Sequence, residues 1–208
     1  MEYIRYIWPG FIEGEHHRVI SKRLTAVAKG ELKRLIINMP PRHTKSEFAS
    51  IYFPSWMMGL QPDLKIMQTT HTADLSINFG RKVRNLMDTE EYAKIFPDVT
   101  LAADSKSAGK WQTSTGGEYF AAGVGGAIAG RGADLLIIDD PHSEQDAMSM
   151  NLLDSCYEWY TSGPRQRLQP GGSIVIVMTR WSTMDLTGRL LDRQTEMNSD
   201  QWEVIELP

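Results

Sequence analysis

The sequence predicts an α/β protein built on a mostly parallel central sheet with helices on both faces. Three apolar runs carry that expectation: Leu35-Ile36-Ile37-Asn38-Met39, Leu135-Leu136-Ile137-Ile138 and Ser173-Ile174-Val175-Ile176-Val177-Met178. None alternates with polar residues, as expected of strands covered on both faces. Helical segments separate them, which is the pattern of parallel strands joined by crossover helices. A ligand of such a sheet lies outside the carboxyl ends of its strands.

In chain order, Val19, Ile20, Leu24 and Val27 mark an amphipathic helix that ends near Gly30. The first apolar strand follows, then Pro40-Pro41, a polar loop and a helix from Ser46 to Leu60. Lys65-Ile66-Met67-Gln68 reads as a second strand, and a helix spans about Ala73 to Met87. The segment from Trp111 to Ala122 reads as a hairpin turning at Gly116-Gly117, followed by a Gly-rich loop from Gly123 to Gly132. After the strand ending at Ile138 come Asp139-Asp140-Pro141 and a helix from Gln145 to Tyr160. The strand to Met178, a helix from Asp185 to about Gln194 and a short strand from Trp202 to Ile205 complete the chain. Trp56, Met57, Met58, Trp159 and Tyr160 fall on helix faces and read as packing residues.

The 208 residues carry no repeat, low-complexity tract or evident linker, so one domain with a sizeable core is expected. A single cysteine, Cys156, excludes an intrachain disulfide and reads as a small buried residue. No apolar run has the length of a membrane span, and the first residues lack the pattern of a signal peptide. The net charge of -4 argues against coating nucleic acid by bulk charge, while leaving local phosphate contacts open.

Two constellations carry chemistry. Met39-Pro40-Pro41-Arg42-His43-Thr44-Lys45-Ser46 follows the first buried strand and leads into a helix. The first N–H groups of a helix lack intrahelical partners and favour anions. Lysine adds charge for terminal phosphates and serine a hydroxyl for Mg²⁺. Met39 and Thr44 stand where the phosphate-loop pattern has glycine, and a β-branched Thr44 is poorly suited to positive φ. The loop alone therefore leaves two readings open, a nucleotide cradle or an ordinary capped helix start. The second constellation is Asp139-Asp140 at the end of a fully apolar strand. Adjacent carboxylates there need a cation or hydrogen-bond donors. Mg²⁺ beside Ser46 supplies the cation, with Asp139 in its shell and either Asp140 or Glu144 orienting a water. Ser143 and Pro141 also suit a strand followed by a capped helix, but the pairing with Lys45-Ser46 is more specific than either half.

Together with Met178-Thr179-Arg180-Trp181, Asp185-Leu186-Thr187-Gly188 and Arg165 to Gly172, these motifs resemble in order those of phage terminase large subunits. The resemblance runs from about His16 onward. It implies a RecA-like (ASCE) P-loop ATPase domain over 1–208, with a small N-terminal lid region on the adenine side (1–30) and a core (31–208). It implies ATP and Mg²⁺ as cofactors, with Arg42, His43, Thr44, Lys45, Ser46 and Glu47 forming the nucleotide loop. Arg42 corresponds to a γ-phosphate sensor, and Thr179 and Arg180 to the motif coupling hydrolysis to DNA movement. Trp8, Phe11, His16 and His17 fall where the family contacts adenine, though a helix start with surface histidines explains them nearly as well. Double-stranded DNA, a portal protein and a small terminase are the implied partners. A homo-oligomeric ring in the host cytoplasm is implied too, with a monomer as the alternative in isolation. The family's C-terminal metal nuclease is expected to be missing, because no further acidic cluster follows Asp140. Where many relatives place glutamate after the first aspartate, Asp140 is one methylene shorter.

Ring ATPases borrow an arginine from a neighbouring subunit. Arg131, between Gly130 and Gly132, is the first candidate, with Arg81 and Arg84 as alternatives. A solvated surface role remains open for each. Lys106, Lys110 and the hairpin after them suit DNA phosphates, which a sequence-independent translocase must grip. A two-domain helicase does not fit in 208 residues, whereas a non-catalytic docking module does.

Overall fold

The computed structural model describes residues 1–105, 107–197 and 199–207. A seven-stranded sheet has the order β3-β4-β2-β5-β6-β1-β7. The strands are β1 (Arg34–Asn38), β2 (Lys65–Thr70), β3 (Lys110–Gln112), β4 (Glu118–Gly123), β5 (Ala133–Asp139), β6 (Leu168–Met178) and β7 (Glu203–Glu206). All neighbours pair in parallel except β3, which pairs antiparallel with β4 as the edge hairpin. β6 therefore lies between β1 and β5, and the two chemistry-bearing segments approach each other across it.

Period-two alternation sorts the strand residues onto two faces. Leu35, Ile37, Leu135, Ile137, Val175 and Val177 join one apolar cluster, and Ile36, Leu136, Ile138, Ile174, Ile176 and Met178 the other. The first cluster is covered by α1 (Glu2–Ile7), α2 (Glu15–Ala28), the helix after β1, α5 (Ala73–Met87) and α6 (Glu90–Ile95). The second is covered by α7 (Met150–Ser162) and α8 (Leu186–Arg193). Ile4, Ile7, Ile20, Leu24 and Val27 belong to the first cluster, so the N-terminal helices pack into the same core as the sheet.

The helix after β1 starts as α3 (Lys45–Glu47), widens into a π-helical turn (Phe48–Tyr52) and continues as α4 (Phe53–Leu60). Pro54 gives the cause: it has no N–H, and its ring crowds the carbonyl of Ser50 four residues back. The helix expected from Gln145 is broken. A 3-10 turn (Asp146–Met148) gives way at Ser149, whose backbone is extended, before α7 begins. Reciprocal bonds explain the local stop, with Ser143 N–H donating to Asp146 and Asp146 N–H to the Ser143 hydroxyl. β6 is longer than expected, because Leu168 pairs with Ala133 before a bulge resets the register at Ser173 opposite Leu135. Two short helices, α1 and α6, have no periodicity long enough to be read from sequence. No helix among the described residues is long and apolar enough to cross a membrane.

On α2 the buried face is His17, Ile20, Ser21, Leu24 and Val27, whereas Val19 faces solvent at 37% exposure. Ile20→Ala is expected to lower unfolding free energy by about 2–5 kcal/mol and Val19→Ala by less than about 0.5 kcal/mol. Equal losses in urea titrations of the two variants would contradict this packing.

Candidate nucleotide site at the carboxyl edge

Alternation on β5 decides which acid meets the loop. Asp139 follows Leu135 and Ile137 in parity, so it emerges on the face covered by the helix after β1. There the Ser46 hydroxyl donates to Asp139 Oδ1 at 3.0 Å and the Ser50 hydroxyl to Oδ2 at 2.5 Å. Ser46 and Ser50 are one turn apart on one helix face. Gln68, on the same face of β2, donates from Nε2 to Ser50 Oγ at 3.1 Å. Burial and then the neighbouring Asp140 charge push the Asp139 carboxyl up to about 7, against the pull of Ser50, Ser46 and Lys45. Ser50 and Gln68 were missed in the sequence. Both left a signal: a second hydroxyl four residues from Ser46, and a polar residue ending an apolar run.

Asp140 turns the other way, at φ +42°. Its Oδ1 accepts from Thr179 N–H at 2.6 Å, and its Oδ2 pairs with Lys45 Nζ at 3.1 Å. The Lys45 ammonium is buried and also donates to Thr179 Oγ1 at 3.0 Å. His71 donates from its backbone N–H and its Nδ1 to the Asp140 carbonyl. Lys45, Ser46, Asp139, Asp140 and Thr179 thus converge at the carboxyl edge of the sheet. Lys45 pairs with Asp140, while Asp139 takes the hydroxyls.

Arg180 continues the same stretch of chain. Its Nε meets buried Asp185 at 2.8 Å, and Asp185 caps α8 by accepting from Gly188 N–H at 2.9 Å. A Cβ on Gly188 would collide with the Thr183 carbonyl. His142 Nε2 accepts from Leu186 N–H at 3.0 Å, so the segment after the acids also grips the start of α8. Burial lowers the His142 pKa and keeps its ring neutral.

The loop itself borders a depression of about 370 Å³ lined by Pro41, Arg42, Thr44, Lys45, Ser46, Glu47 and Asp140. Arg42 (φ +66°) and Thr44 (φ +62°) both adopt left-handed backbone. Thr44 therefore takes the conformation that glycine supplies in the phosphate-loop pattern and bears its cost. Its Oγ1 lies 2.6 Å from His17 Nε2 and donates to the His43 carbonyl at 2.6 Å. Gly14 N–H donates to His17 Nδ1 at 2.8 Å, so the neutral ring carries its proton on Nε2 and donates to Thr44. Phe48 stacks on the His17 ring at 4.9 Å and Phe11 meets its edge at 4.8 Å. Trp8 stacks on Tyr52 at 5.0 Å. The aromatic residues near the start therefore pack on the loop's helix, with His16 beside His17 and within 6.2 Å of the His43 ring.

The remaining candidates lie elsewhere. Glu144 is exposed in the loop after the acids. Arg131 pairs with Glu118 at 2.7 Å and lies over the Phe120 ring. It precedes the amino end of β5, which itself lies roughly 20 Å along the strand from Asp139. Arg81 and Arg84 lie on α5, where Arg84 reaches Asn85. Lys110 is exposed on the edge strand, and Lys106 lies outside the described residues. Cys156 is buried, and burial pushes its thiol up to about 12.

The donor set fits a magnesium nucleotide. Backbone N–H groups from Arg42 to Ser46 donate to no protein acceptor among the described residues. A buried ammonium, a hydroxyl and a buried carboxylate stand beside them. No cluster of three or more His, Cys, Asp or Glu side chains suited to a metal occurs among the described residues, and Mg²⁺ ordinarily takes most of its oxygens from water and phosphate.

The seven-stranded, mostly parallel sheet with helices on both faces, and β6 between β1 and β5, is consistent with a RecA-like α/β fold. No protein-family profile matches the chain, and no curated protein sequence does. Among solved structures it is similar to the large terminase of bacteriophage HK97, at 12% identity and a TM-score of 0.62, over 98% of this chain and 41% of that one. It is also similar to the large terminase of a thermophilic bacteriophage, in a complex with ATP-gamma-S, at 10% identity and a TM-score of 0.52. That match covers 89% of this chain and 44% of the thermophilic phage protein. The chain thus shares its fold with phage large terminases and spans less than half their length.

Burial lowers the His17 pKa from 6.5 to about 4, opposed by Glu13 and assisted by His16. The folded ring stays neutral while the unfolded one takes a proton below pH 6.5. Its contribution to stability is therefore complete above that pH and lost as pH falls from 6.5 towards 4. The stability difference between the parent and His17→Phe, from urea titrations, is expected to be larger at pH 7.5 than at pH 4.5. A difference independent of pH would contradict the assignment.

Proposed function

We propose that this chain is the ATP-hydrolysing motor domain of a phage large terminase, driving double-stranded DNA into a procapsid. The observation that carries the reading is the convergence of Ser46 on Asp139 beside the Lys45–Asp140 ion pair. The terminase-like fold, and the ATP-gamma-S held by the thermophilic phage protein, support it.

In this reading the N–H groups of Arg42 to Ser46 and the Lys45 ammonium hold the phosphates, with His43 and Glu47 completing the loop. Ser46 and Asp139 hold Mg²⁺, which when bound neutralises charge on the phosphate oxygens. Asp140 Oδ2 orients the attacking water once the Lys45 ammonium turns to phosphate, while Thr179 N–H keeps Oδ1 fixed. Glu144 would reach such a water only by moving in from solvent, so Asp140 is the preferred residue. Arg42 senses the terminal phosphate. Thr179 and Arg180 transmit the change to α8, through Asp185.

Arg131 is distant from its own site and acts, in this reading, on a neighbouring subunit. The ring stands on a portal protein in the host cytoplasm, with a small terminase presenting DNA. Lys110 belongs to the surface offered to DNA phosphates.

Lys45→Ala and Asp139→Ala are each expected to abolish magnesium-dependent phosphate release while circular dichroism stays unchanged. A parent chain without turnover when concentrated and supplied with DNA and portal would instead favour a non-catalytic docking module. Hydrolysis per chain is expected to rise with protein concentration, through an arginine supplied in trans, by up to about 10³-fold. A flat specific activity across the accessible range would count against Arg131 in that role.

A further inference from the structure

We infer that His17 is a positioning residue for the phosphate loop, holding Thr44 in the left-handed conformation from which the loop presents its N–H groups to phosphate. The inference rests on the function proposed above. Thr44 is the residue before Lys45, and its φ of +62° and ψ of +16° lie where β-branched side chains are disfavoured. Glycine needs no external support there, but threonine does.

The support is a relay of hydrogen bonds entering from the N-terminal segment. Gly14 N–H fixes His17 Nδ1 at 2.8 Å, His17 Nε2–H reaches Thr44 Oγ1 at 2.6 Å, and that hydroxyl donates to the His43 carbonyl at 2.6 Å. Each polar atom has one role, so the relay has one direction. The ring cannot swing away, because it is 5% exposed and held between Phe48 and the edge of Phe11. Phe48 lies on the π-helical turn that follows Lys45 and Ser46, so one side chain ties the loop to its helix. The threonine hydroxyl, absent from glycine, is the atom His17 grips. The departure from the glycine pattern and the histidine therefore form one device.

The test is binding of a fluorescent ATP analogue with Mg²⁺ to the parent, His17→Phe, His17→Gln, Thr44→Gly and the Phe/Gly double variant, alongside thermal melts without nucleotide. His17→Phe keeps a buried aromatic ring but has no donor, whereas His17→Gln keeps a donor near the Nε2 position. His17→Phe is expected to weaken binding about tenfold, the scale of one lost hydrogen bond to a strained residue. His17→Gln should recover most of that loss, and in the Thr44→Gly background His17→Phe should change affinity less than about twofold. The melts should show the same non-additivity, with Thr44→Gly stabilising the His17→Phe chain more than the parent. Unchanged affinity in His17→Phe, or an equal loss in both backgrounds, would overturn the inference while leaving the nucleotide site intact. A parent chain that binds no analogue would overturn the function reading itself.

Discussion

Asp139 carries a carboxylate to the end of a strand buried on both faces, where ionisation is costly unless donors or a cation surround it. The helix after β1 answers that constraint. Ser46 and Ser50 each give a hydroxyl to one oxygen of the acid, and Gln68 orients the second hydroxyl. Ser50 lies in the π-helical turn at Phe48–Tyr52, and Pro54 is the local reason for the turn. Asp139 and Ser50 are buried beside the first cluster, while Ser46 borders the depression.

Lys45 makes the second link. Its ammonium is shared between Asp140 Oδ2 and Thr179 Oγ1, and Thr179 N–H holds the other oxygen of Asp140. Any anion that draws the ammonium away removes a partner from both residues at once. The effect continues to α8, because Arg180 is tied to the aspartate that caps this helix. His142, two residues beyond Asp140, accepts from the first helical N–H of α8. The acids, the segment after β6 and the start of α8 are therefore one hydrogen-bonded unit, and a change of charge at Lys45 has a short route to the second face of the sheet.

Much of this was legible in the sequence. The unbroken apolar runs gave the buried parallel strands, and Ala73–Met87 and the hairpin turn at Gly116 lie where periodicity and turn chemistry place them. Lys45, Ser46, Asp139, Asp140 and Thr179 come together as their motifs imply. Parity on β5 could have separated the two acids, because Asp139 shares a face with Leu135 and Ile137 and Asp140 does not. The break at Ser149 was hidden, since the helical pattern continues across it and only the Ser143–Asp146 exchange ends the first turn. The pairing of His17 with Thr44 crosses 27 residues and has no local signature. Arg131 is settled by neither sequence nor fold: its flanking glycines suggested phosphate approach, and within this chain it pairs with Glu118 and lies over Phe120.

Among the described residues, the non-glycine positions with positive φ are Arg42, Thr44 and Asp140, and all three border the same depression. Such conformations cost about 1–3 kcal/mol each and persist only where surroundings over-determine them. The surroundings here are specific: His17 for Thr44, and Lys45, Thr179 and His71 for Asp140. Strain spread at random through a fold would meet partners of no common chemistry. Here it is concentrated where the buried Lys45 ammonium meets Asp140, and the compensating bonds come from segments bordering the carboxyl edge. A loop that lacks glycine at Thr44 therefore still holds the left-handed conformation glycine would supply, with hydrogen bonds in place of the missing conformational freedom.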